Sequence, residues 1–107
     1  MGEALSSLEA QYLFLTQHLA DYLAACKTDA QRDQIRTQYV TARRNYWDAI
    51  NKIFHDDDPK IVQAVAKMKD AQTSLEKLTK DLASIAKVIT GITTAVKVGT
   101  ELASLAG

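Results

Sequence analysis

A chain of 107 residues with zero formal net charge, 47% hydrophobic and 24% charged side chains has the make-up of one globular domain with a modest core. One proline, four glycines and plentiful Ala, Leu, Lys and Gln favour helix throughout, and the balanced charge excludes a strongly basic nucleic-acid surface. A single cysteine, Cys26, excludes an internal disulfide.

Residues 3–26 read as a first helix, because Leu5, Leu8, Tyr12, Leu15, Leu19, Tyr22 and Cys26 recur on alternating steps of three and four. Leu13, Phe14 and Leu23 lie outside that stripe, so this helix is apolar over more than one face. Residues 27–34 form a joint in which Ala30 is the only apolar side chain. Thr28-Asp29-Ala30-Gln31 fits a capping box that would start a new helix there, although no Gly or Pro compels a break. Helical spacing resumes over 35–55 with Ile35, Tyr39, Ala42, Tyr46, Ala49 and Ile53, and Val40, Trp47, Ile50 and Phe54 form a second row.

The turn is His55-Asp56-Asp57-Asp58-Pro59. Asp58 suits an N-cap, Pro59 suits a first helical residue, and the acids favour the positive end of the helix that follows. From 59 to 106 one long helix is expected, its seam running Ile61, Ala64, Met68, Ala71, Leu75, Leu78, Leu82, Ile85, Ile89, Ile92, Val96, Gly99, Ala103, Ala106. Beyond about residue 85 the stripe widens, as Val88, Ala95 and Leu102 join on one side and Gly91, Val98 and Leu105 on the other. A face that wide needs more than one neighbour, either within a small bundle of the chain's own helices or from another chain, or a membrane surface.

The fold class expected is therefore all-α, as a single helical domain spanning residues 1–107. Helices of similar length on either side of 55–59 predict a long antiparallel, coiled-coil-like hairpin of roughly 70–80 Å. Residues 1–58 carry six basic and nine acidic side chains and residues 59–107 carry seven and four, so the two halves have opposite sign and suit such pairing. In that hairpin Tyr46 meets Met68, Tyr22 meets Ile92, and Tyr12 meets Gly99 and Ala103. Its over-apolar end, residues 5–26 and 82–106, would complete a four-helix bundle by dimerisation. The alternative fold is a compact three-helix bundle with a joint at 28.

No chemistry-bearing motif stands out. His55 and its three consecutive acids lack the alternation and the turn glycine of a calcium loop. His18 and Asp21 suit a hydrogen bond along one helix face, and Cys26 lies too far along the same helix from His18 to be activated by it. Tyr39, Arg43, Arg44, Tyr46 and Trp47 mix basic and aromatic side chains, a composition commoner at protein interfaces than at nucleic acids when set in an acidic half. No catalytic residue, cofactor or metal ligand is expected.

The function expected is a non-enzymatic structural or interaction module that self-associates or docks a partner helix. The interaction surface expected is Phe14, Leu23, Val88, Ala95, Val98, Leu102 and Leu105. The partner is a second copy or another protein, with no nucleic acid. The alternative is a membrane-associating or secretion-related helical protein that uses its amphipathic C-terminal segment. No signal peptide or membrane span is read, which places the chain in the cytoplasm and leaves a signal-independent export route open.

Overall fold

The computed structural model describes residues 2–106, and the chain is all-helical, with no strand among the described residues. Helix α1 spans Glu3–Ala25, α2 Asp29–Ala49, α3 Pro59–Thr79 and α4 Ile85–Ala103, with a one-turn 3-10 helix at Leu82–Ser84.

Each boundary has a local cause. Thr28 takes extended geometry and its side chain accepts the Gln31 amide at 3.1 Å, while Gln31 Oε1 accepts the Lys27 amide at 2.7 Å. The Thr28–Gln31 pattern is thus a cap, with its return bond one residue earlier than in the standard box. Asp58 accepts the Lys60 amide at 2.8 Å and Pro59 opens α3. Asp56 reaches a helix distant in sequence, accepting the Ala4 amide at 3.3 Å at the start of α1. Asp56 and Asp58 therefore serve two helix N-termini, where free N–H groups and the helix dipole favour a carboxylate.

The long hairpin does not form. The molecule measures 42 × 22 × 18 Å, against the roughly 70–80 Å such a hairpin would span. The joint at 27–34 shrinks to residues 26–28, the second helix ends at Ala49 rather than 55, and the expected turn at 55–59 becomes a connection over 50–58. The expected helix 59–106 is broken at 80–84, so neither the hairpin nor the three-helix alternative describes the chain: four helices pack within one copy.

The second break has a physical reason. A continuous helix would leave Val88, Ala95 and Leu102 without a partner in the same chain, whereas here all three are fully buried. Burying a Val or Leu side chain is worth about 1.5–3 kcal/mol. Little is lost at the break, because Lys80, Asp81 and Ser84 amides still bond the carbonyls of Lys77, Leu78 and Asp81. Each net backbone hydrogen bond is worth only about 0.5–1.5 kcal/mol, so burial wins.

Helices α1 and α3 run one way, α2 and α4 the other. The direction is fixed by Glu3, at the start of α1, near Lys69 in the middle of α3 and by the Tyr22 and Thr79 hydroxyls, 2.8 Å apart, near the C-terminal ends of both helices. Around the molecule the order is α1, α2, α4, α3, with α1 and α4 across the shorter diagonal. The connection 50–58 crosses one end to join α2 to α3, and that end also holds the first residues of α1 and the last of α4.

The interior has two apolar parts. One gathers Leu15, Tyr22, Ile35, Ala42, Leu75, Val88, Ile92 and Val96, and the other Ala4, Leu8, Ala49, Ile61, Val65, Met68 and Leu102. Between them lies a polar layer. Buried Gln11 donates to the Ala95 carbonyl at 2.7 Å, and Asn45 donates to Thr100 Oγ1 at 3.0 Å. Gly99 faces Gln11, and a Cβ there would stand 2.6 Å from Gln11 Oε1. Tyr12, expected against Gly99, instead packs between Tyr39 and Tyr46 at centroid distances of 5.8 and 5.9 Å. Tyr46, expected against Met68, turns its hydroxyl to Glu9 at 2.6 Å.

Candidate functional site: a groove between two helices

The seven residues expected to form an interaction surface do not share one. Val88, Ala95 and Leu102 are closed inside the chain, so the structure corrects their assignment as surface. Their row faces inward because the break at 80–84 folds α4 back into the core. Phe14 and Leu23 are half-buried against the same core. Val98 and Leu105 remain accessible, on the outer side of α4 beside α3.

That side is a groove. Its larger part, of about 450 Å³, is lined by Ala71, Ser74 and Leu78 of α3 and by Gly91, Thr94 and Val98 of α4, with Lys67, Asp70 and Lys87 at the rims. A second hollow of about 260 Å³, which shares Lys67 and Val98, extends the groove toward Lys60, Glu101 and Leu105. Gly91 lets Leu78 pack close against α4, since a Cβ there would stand 2.5 Å from Leu78 Cδ1. The Gly91, Val98, Leu105 row that widened the sequence stripe is the row along the α4 side of this groove. The row opposite it in the stripe went into the core.

The outer face of α2 is another exposed apolar feature. Trp47 is 57% exposed beneath the Arg43 guanidinium, 5.7 Å from the ring centroid, and Val40 and Ile50 flank it. Tyr39 and Tyr46, read together with these residues in the sequence, turn away from them to meet Tyr12. The mixed basic–aromatic cluster is therefore split between two faces.

The titratable groups make no concentrated site. Among the described residues no group of three His, Cys, Asp or Glu side chains is placed to hold a metal ion. His18, expected to bond Asp21, packs instead on Phe14 at 4.4 Å and Tyr22 at 5.9 Å. Cys26 is buried, with Sγ 3.3 Å from the Tyr22 carbonyl, and burial raises its thiol above the ordinary value against the opposing pull of Arg32 and Arg36. Burial likewise raises the Tyr22 phenol, partly offset by its bond to Thr79. The Tyr46 phenol is raised first by its hydrogen bond to the Glu9 carboxylate.

One segment among the described residues, Leu82–Ala103, is long and apolar enough to cross a membrane by length and composition alone. That amends the sequence reading, which found no such span. In the folded chain the apolar side of this segment is spent on the core. No protein-family model, curated protein or solved structure matches the chain.

Proposed function

We propose that the protein is a non-enzymatic interaction module whose α3–α4 groove receives an amphipathic helix carrying acidic side chains. The observation that carries the proposal is the open groove itself. Ala71, Leu78, Gly91 and Val98 give it an apolar lining that the chain's own four helices leave half-covered. Helices dock in such grooves through a stripe of apolar anchors at i, i+3, i+4 and i+7. Lys67 on one rim and Lys87 on the other select acids beside that stripe, and α3 with α4 belongs to the half of the chain that carries seven basic against four acidic residues.

The test uses a designed, dye-labelled peptide of about five helical turns, with leucines along one stripe and glutamates beside it. Its fluorescence anisotropy should rise on titration with the protein and fall back with added salt. Thr94→Glu, an exposed change within the groove, should abolish the rise, while the matching lysine-flanked peptide should bind at least tenfold more weakly. Equal binding of both peptides, or binding unaffected by Thr94→Glu, would remove the groove from the account.

A second reading, membrane association, is favoured by the composition of Leu82–Ala103. It requires α4 to leave the core, and it fails if anionic vesicles at low salt do not pull the protein down.

A further inference from the structure

We infer that two copies of this chain exchange α4: residues 80–84 straighten, α3 and α4 become one helix from Pro59 to Ala103, and each copy's α4 fills the place of the other's. The inference is independent of what the groove receives, because the exchange rebuilds the α3–α4 groove between two chains.

The joint lacks the chemistry that starts helices elsewhere in the chain. Thr28 and Asp58 cap α2 and α3 with their side chains, and Pro59 opens α3. Asp81 and Ser84 cap nothing; the Ser84 hydroxyl donates to Asp81 Oδ2 at 3.2 Å instead. No glycine or proline stands between 80 and 84, and no described residue has a positive φ. The departure from helix is also small. Lys80 and Ile85 have helical dihedrals, and the bend lies at Asp81 (φ −128°, ψ 82°) and Ser84 (φ −92°, ψ 52°) around a single 3-10 turn. Bringing those two residues to helical values restores bonding from each amide to the carbonyl four residues back.

The register of the buried rows is the third observation. Ile61, Ala64, Met68 and Leu75 of α3 and Ile85, Ile89, Ile92 and Val96 of α4 are buried, and Ala71, Leu78 and Leu82 between them are half-buried. All stand on one unbroken series of alternating three- and four-residue steps, so on a continuous, gently coiled helix they share one side. A fold-back places no such demand, since the two rows then belong to separate helices running in opposite directions. The exchanged form requires it, because both halves of the long helix must present their core rows to bundles stacked end to end. Val88, Ala95 and Leu102 stay buried there, against α1, α2 and α3 of the second copy.

A helix tethered by so short a joint meets its own bundle at an effective concentration in the mM range, so exchange competes as the protein approaches about 1 mM. Helical bonding regained across the joint lowers that threshold. Because α4 is so deeply built into the core, it leaves only when the chain opens, and the two forms interconvert slowly enough to separate on a column.

The experiment unfolds the protein in urea and refolds it at about 1 mM and at a hundredfold lower concentration, followed by gel filtration with light scattering. The concentrated sample should contain a dimer that persists on dilution, and the dilute one should be monomeric. Two glycines inserted between Ala83 and Ser84 interrupt the long helix and should give about tenfold less dimer, with circular dichroism checking that the variant stays helical. Lys60 and Glu101 are exposed and line one hollow. Spin labels on Lys60→Cys and Glu101→Cys in a Cys26→Ala background, with the labelled chain refolded in excess unlabelled chain, read the distance within one copy. That distance should be short in the monomer and roughly 60 Å in the dimer, the length of straight helix between the two positions. A chain that is monomeric after concentrated refolding, a dimer whose labels stay close, or an insertion variant that dimerises as readily as the wild type overturns the inference.

Discussion

Replacing Leu102 and Leu105, three residues apart near the end of α4, should give opposite results. Leu102 is 0% exposed within the part of the core built by Ala4, Leu8, Ala49, Ile61, Val65 and Met68, whereas Leu105 is 39% exposed at the mouth of the groove. Leu→Ala at a fully buried site removes transfer free energy and leaves a cavity, together about 2–5 kcal/mol. A surface change of the same kind stays within about 0.5 kcal/mol. At about 2.1 cal/mol/K of unfolding entropy per residue, a chain of this size shifts its Tm by about 4–5 °C per kcal/mol. Leu102→Ala should therefore lower the melting midpoint by about 10–20 °C, and Leu105→Ala by no more than about 2 °C. The assay is thermal unfolding followed by circular dichroism, with urea titration to confirm an unchanged slope. Equal small shifts at both positions would mean that the Val88, Ala95, Leu102 row is not interior. The fold-back of α4 at 80–84 would then be wrong.

Thr28→Ala removes the oxygen that accepts the Gln31 amide and should cost about 1 kcal/mol, read as a lower urea midpoint; no change would deny that this cap holds the α1–α2 turn. For Tyr22, burial raises the phenol, so the folded state holds the proton more tightly than the unfolded one. The corresponding stability is complete below the ordinary phenol value of about 10 and is lost as pH rises through the higher folded value. Melting temperature should drop in that alkaline window, and Tyr22→Phe should flatten part of the drop; an unchanged alkaline slope would contradict the burial argument. Cys26, buried and raised in the same sense, should react with a disulfide reagent at mildly alkaline pH only as fast as the chain opens, and addition of denaturant should accelerate it. Full reactivity in the native state would place the thiol outside the core.

Sequence periodicity identified most of the interior. Leu8, Leu15, Tyr22, Ile35, Ala42, Ile61, Met68, Leu75, Ile85, Ile92 and Val96 were on its stripes and are buried. Two boundaries were also readable, because caps are local chemistry: Thr28 with Gln31, and Asp58 with Pro59. The break at 80–84 was not, since Leu78, Leu82 and Ile85 continue the spacing of three and four without a glycine or proline between them. What distinguishes the two sides of that break is the width of the apolar stripe, and a width says how many neighbours are needed without saying whose they are. The fold-back supplies some of them from the same chain, which removed Val88, Ala95 and Leu102 from the surface and left Val98 and Leu105 on it. The polar layer is not legible for another reason. Gln11 and Asn45 lie off the apolar rows, and only the approach of Ala95 and Thr100 from a helix distant in sequence gives them partners. Asp56 is a parallel case, since its bond to Ala4 spans nearly half the chain.

The most direct test of the groove is a two-dimensional amide spectrum of the labelled protein, recorded as the acidic designed peptide is added. Shifts should concentrate at Ala71, Ser74, Leu78, Gly91, Thr94 and Val98, with the amides around Val40 and Trp47 on the outer face of α2 unmoved. Shifts centred on Trp47, or none at peptide excess, would contradict the proposed groove.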